Sequence, residues 1–105
     1  MYLTMNRFRV IPGREDAFEA MWTNRDSHLK EVPGFMSFHL MRGEIVDGAR
    51  LYASHTLWRD KEAFLDWTKS EAFRNAHKGA KSSEEMYEGP PVLECFDSVQ
   101  EIAAD

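Results

Sequence analysis

Three chain-reversing dipeptides, Pro12-Gly13, Pro33-Gly34 and Asp47-Gly48, cut the first part of this chain into short segments. Each segment is long enough for one strand or one helix. Leu3–Ile11 alternates and reads as a strand ended by Pro12-Gly13. Residues 14–31 place Phe18, Met21, Trp22 and Leu29 at helical spacing, which predicts one helix with an apolar stripe, stopped at Pro33-Gly34. Phe35–Arg42 and Leu51–Trp58 read as two strands joined through Asp47-Gly48. Asp60 suits the N-cap of a helix carrying Ala63, Phe64 and Trp67. Ser70 suits the start of a second short helix carrying Phe73, Ala76 and His77. Residues 79–91, GAKSSEEMYEGPP, read as a loop, and Val92–Val99 as a last strand.

The resulting order, β-α-β-β-α-β, predicts an α+β ferredoxin-like domain, one antiparallel sheet with helices on one face. Alternation puts Asn6 on one face of the first strand with Tyr2, Phe8 and Val10, and Leu3, Met5 and Ile11 on the other. An uncovered sheet face with those residues is costly in a small domain, so a homodimer pairing two sheets is expected. At 105 residues the chain is expected to be a single domain, 1–105. Its net charge is −5 and it has no cluster of Lys and Arg, which argues against nucleic acid as a partner. No apolar run reaches the roughly 20 residues that span a bilayer, so no membrane partner is expected. The N-terminal MYLTMNRFRV lacks the pattern of a secretory signal, and Cys95 has no second cysteine to pair with. A cytoplasmic protein is the simplest expectation.

Three residues stand out as carriers of chemistry. Asn6 is an amide among apolar neighbours on its strand face. A buried unpaired amide costs about 1–3 kcal/mol, so it needs a partner, either in the protein or in a ligand between sheet and helices. His77 shares a helix face with Phe73. It has no second His or Cys at zinc-ligand spacing, but one imidazole is enough for haem iron. Trp67 lies with Ala63 and Phe64, where a large flat ring serves either as core or as the wall of a flat ligand site. Arg25 continues the stripe of the first helix. It reads either as a side chain covering apolar surface or as a contact for an anionic group such as a propionate. Lys78 and Lys81 are further candidates for carboxylate contacts. The 79–91 loop follows His77 and could cover a pocket.

An Asn early in the first strand, followed late by the stretch DWTKSEAFRNAHK at 66–78 with Trp67 and His77, resembles the IsdG-type haem-degrading monooxygenases of the antibiotic-biosynthesis-monooxygenase (ABM) superfamily. The resemblance implies that His77 is the axial iron ligand. It implies that Asn6 hydrogen-bonds near the oxygen on the iron, and that Trp67 distorts the porphyrin. It also implies a dimeric α/β barrel made of two sheets. Haem would be both substrate and cofactor, with O2 and an external electron donor such as a reductase. Iron would leave with a linear tetrapyrrole. Two other functions fit the same residues: a cofactor-free monooxygenase of polycyclic aromatic substrates, and a non-enzymatic haem-binding protein.

Overall fold

The computed structural model describes residues 1–24, 29–70 and 86–104. The elements are β1 (Tyr2–Val10), α1 (Glu15–Thr23), a 3-10 turn (Leu29–Glu31), β2 (Phe35–Val46), β3 (Ala49–Trp58), α2 (Lys61–Thr68) and β4 (Val92–Asp97). The strands form one antiparallel sheet in the order β2-β3-β1-β4. This is the ferredoxin-like arrangement expected from the element order.

Among the described elements, α1 and β2 differ most from the sequence expectation. The first helix ends at Thr23, with Asn24 as its cap, and Leu29 belongs to a 3-10 turn. Thr23, Asn24, Asp26 and Ser27 are weak helix formers whose side chains compete for backbone bonds, and the Thr23 hydroxyl donates to the Ala20 carbonyl. β2 runs on past Arg42 to Val46, because a register shift between Arg42 and Ile45 absorbs Gly43 and Glu44 into the ladder.

The turns behave as their residues dictate. Asp47 and Gly48 both have positive φ, 51° and 83°, which is what a two-residue hairpin between β2 and β3 needs. Asp60 caps α2 by accepting the Ala63 N–H at 2.9 Å. That bond, helped by the Arg59 side chain, holds its carboxyl below the usual range. Gly34, at φ +86°, sits where strand β2 passes under α2, and its carbonyl accepts the Arg59 N–H at 2.7 Å. A Cβ there would collide with the Ala63 Cβ. Gly34→Ala should therefore destabilise by at least about 2 kcal/mol, from the left-handed backbone and the forced separation of β2 and α2. Urea titration checks this, and a midpoint equal to wild type would show that α2 does not pack as closely as described.

The helix-facing side of the sheet carries two separate aromatic clusters. Tyr2, Leu29, Trp58 and Ala63 form the first, with Phe35, Phe38, Phe64 and Trp67 packed against it. Phe8, Val10, Phe18 and Tyr52 form the second, with Met21, Trp22, Leu40 and Tyr87 around it. The stripe predicted for one helix is thus divided: Phe18 and Trp22 serve one cluster, and Leu29 the other. The opposite face is open and mixes apolar residues with Arg7, His39, His55 and Glu94. Leu3, Met5 and Leu57 are half-buried there, and Met41, Val92 and Phe96 are exposed.

Candidate active site

A polar strip crosses the sheet between the two clusters. Register places Phe38, Thr56, Thr4 and Cys95 in one row and Leu40, Ser54, Asn6 and Leu93 in the next. Directly opposed residues of neighbouring strands share a face, so both rows point toward the helices. Thr4, Ser54 and Thr56 are buried. The Thr4 hydroxyl accepts the Trp58 indole N–H at 3.0 Å.

Asn6 is the exception on its strand face. Tyr2, Thr4, Phe8 and Val10 are buried, whereas Asn6 is half-buried. Its amide makes no hydrogen bond to a described side chain. The neighbour on the β4 side, Leu93, is 52% exposed. Asn6 therefore keeps partial solvent access on the β4 side, with an aromatic cluster to either side along the sheet. Trp22 bridges the two clusters here. It stacks on Phe38 with ring centroids 5.7 Å apart and meets Phe8 edge-on at 5.8 Å.

Trp67 lies on α2, half-buried against the first cluster. Its ring is 5.3 Å from that of Trp58 and 6.4 Å from that of Phe64. Trp58 is fully buried and belongs to the core. Asn6 and Trp67 thus both lie on the helix-covered side of the sheet, as expected from sequence. Arg25, His28, His77, Lys78 and Lys81 lie outside the described residues. His39 and His55 pair across β2 and β3 on the open face, away from Asn6.

One constellation was not anticipated. The Tyr52 hydroxyl donates to the Glu19 carboxylate, and Arg42 donates to the two oxygens of that carboxylate at 2.8 Å each. Tyr52 and Arg42 together hold the Glu19 carboxyl below the usual range. Burial, and then the bond to Glu19, push the Tyr52 phenol up. A cavity of about 370 Å³ opens beside this group, lined by Gly13, Glu15, Asp16, Glu19, Arg42 and Arg50. No sequence signal links Glu19 to Tyr52, because the contact depends on how α1 lies across the sheet. Among the described residues there is no cluster of His, Cys, Asp or Glu that could hold a metal ion. No described helix is long and apolar enough to cross a membrane.

The chain is 29% identical over 94 residues to haem oxygenase (staphylobilin-producing) 1 of Staphylococcus aureus, spanning 88% of this chain and 84% of that one. The structure of the haem degrader MhuD from Mycobacterium tuberculosis, solved with two haems in its active site, superposes with a TM-score of 0.74. It is 26% identical and covers 98% of this chain and 100% of its own. SnoaB, a cofactor-independent oxygenase from Streptomyces nogalater, shares the fold, with a TM-score of 0.70 at 20% identity over 98% of this chain and 97% of its own. The family model for antibiotic biosynthesis monooxygenases matches residues 1–79, three quarters of the chain, and the chain belongs to that family.

Proposed function

We propose that this monooxygenase degrades haem. The observation that carries the reading is the half-buried Asn6 amide, without a described hydrogen-bond partner, on the polar strip between two aromatic clusters. The likeness to a haem oxygenase and to a haem degrader supports it. Two aromatic clusters with one amide between them suit a flat, mostly apolar ligand that needs one directed hydrogen bond.

Bound haem supplies both the iron that activates oxygen and the ring that is opened. The chain supplies position. His77 is proposed as the iron ligand and Arg25 as a contact for a propionate. The Asn6 amide, fixed by the β1 backbone, donates toward the reacting oxygen. Trp67 presses on the ring. The buried Trp58 packs on it at 5.3 Å, so Trp67 would resist displacement by a bound flat ring and would favour a bent one. The aromatic walls keep water from the reacting carbon. An external donor such as a reductase supplies the electrons. A second copy of the chain is proposed to cover the open face that carries Leu3, Met5, Met41 and Phe96.

Titrating hemin into purified protein, then adding reductant with catalase present, tests the reading. A Soret band followed by its loss, with an open tetrapyrrole identified by mass spectrometry, is the expected result. Absence of the band would favour a cofactor-free oxygenase on this fold. A stable band without turnover would favour a haem-binding protein.

Asn6→Ala should bind haem almost as wild type does, because Asn6 is assigned to the oxygen and not to the iron. Turnover should fall about a hundredfold, the usual effect of losing one preorganised donor. Binding and turnover measured on one preparation check this, and equal turnover would remove Asn6 from the mechanism.

A further inference from the structure

An oxygenase that activates oxygen in a cleft walled by indoles exposes those indoles to oxidation. Trp22 is the indole that joins the two clusters, stacked on Phe38 and edge-on to Phe8. Trp22 also lies 6.3 Å from Phe18, and Phe18 packs on Tyr52 at 4.8 Å. A contiguous aromatic path therefore leads from the cleft to a buried phenol. The phenol ends on a base, the Glu19 carboxylate, which Arg42 holds from the far side.

We propose that Trp22 and Tyr52 form a hole-transfer path out of the cleft, with Glu19 taking the Tyr52 phenolic proton. It rests on the proposed cleft chemistry in one respect, that an oxygen-derived one-electron oxidant forms there. That oxidant removes one electron from the Trp22 indole and is itself reduced by one electron. Tyr52 then gives one electron to Trp22, and the Tyr52 O–H proton moves to the Glu19 carboxylate. This leaves a neutral phenoxyl beside a neutral carboxyl. A diffusible one-electron reductant such as ascorbate returns the electron to the phenoxyl, and Glu19 returns the proton. The solvent-open cavity beside Glu19 is the place where a reductant comes near the phenol.

The proton outlet distinguishes Tyr52 from Trp58. The Trp58 indole donates to a hydroxyl, Thr4, which is a much weaker base than a carboxylate. Arg42 serves both directions. It keeps Glu19 ionised and ready to accept, and once Glu19 is neutral its unbalanced positive charge favours the proton's return. Arg50 from the sheet and Glu15 and Asp16 from α1 are the other charged groups facing this cavity.

The test uses the full chain without haem, so it stands apart from the hemin titration. Azide radicals made by pulse radiolysis oxidise indoles, and transient absorption separates the indolyl from the phenoxyl radical. In wild type, indolyl decay should match phenoxyl growth. The growth should be lost in Trp22→Phe and in Tyr52→Phe, and kept in Trp67→Phe and in Tyr87→Phe. Glu19→Gln keeps a hydrogen-bond acceptor but cannot take the proton, so growth should slow. Wild-type growth should also slow as pH falls through the depressed range of Glu19, and Glu19→Gln should lack that dependence. Phenoxyl growth that survives in Tyr52→Phe would overturn the path. Unchanged growth in Glu19→Gln would overturn the proton assignment, and this arm remains decisive even where Tyr52→Phe fails to fold.

Discussion

His77→Ala is expected to lose the His-ligated haem spectrum and nearly all turnover while the protein stays folded. Haem iron needs one protein ligand when the porphyrin fills its equatorial positions, so a single imidazole carries the whole attachment. Removing groups that merely orient a metal ligand costs about 10–100-fold, and removing the ligand itself should cost more than that. The absorption spectrum of the hemin complex and the rate of Soret loss are the measurements, with far-UV circular dichroism as the check on folding. A spectrum like that of wild type would assign the iron to another residue and would leave the fold and Asn6 untouched.

Trp67→Ala should fail in two ways at once. The ring packs on Trp58 and Phe64, so truncation should cost about 3 kcal/mol of stability. It should also remove the wall that bends the macrocycle, leaving haem bound and little turned over. Trp67→Phe separates these effects. It keeps an aromatic ring against Trp58 and should keep most of the stability. Its smaller ring should press less, so turnover should be partial. Melting temperature and turnover measured together decide the matter. A Phe variant as active as wild type, beside an Ala variant that fails only by unfolding, would reduce Trp67 to core packing.

The element order and the position of Asn6 were legible because each follows from local chemistry. Asp47-Gly48 and Asp60 act within a few residues of themselves, and strand alternation alone puts Asn6 on the face of Tyr2 and Phe8. The end of α1 was not legible, because Leu29 continues the helical spacing while serving a different cluster through a 3-10 turn. The full length of β2 was hidden by Gly43 and Glu44, which the ladder absorbs by a register shift. The polar strip required pairing information. Thr4, Ser54 and Thr56 are unremarked in sequence until register sets them beside Asn6. The Glu19–Tyr52–Arg42 group is hidden for the same reason, since it joins a helix to two strands. Arg25 and His77 rest on the sequence argument, lying outside the described residues.

If the proposed ligand seats between the two aromatic clusters, the protein's cohesion is tied to its cargo. Each cluster is packed within itself, and the Trp22–Phe38 stack joins them across the cleft. A flat molecule seated there touches both, and its binding free energy adds to the folding free energy, about 2.7 kcal/mol at a hundred times its Kd. If that molecule is also what the reaction destroys, the reinforcement ends with each turnover. The loaded protein is then the rigid one, and breaking the flat ring removes the brace that held the two halves together. Release of the product and loosening of the cleft become one event, timed by the chemistry.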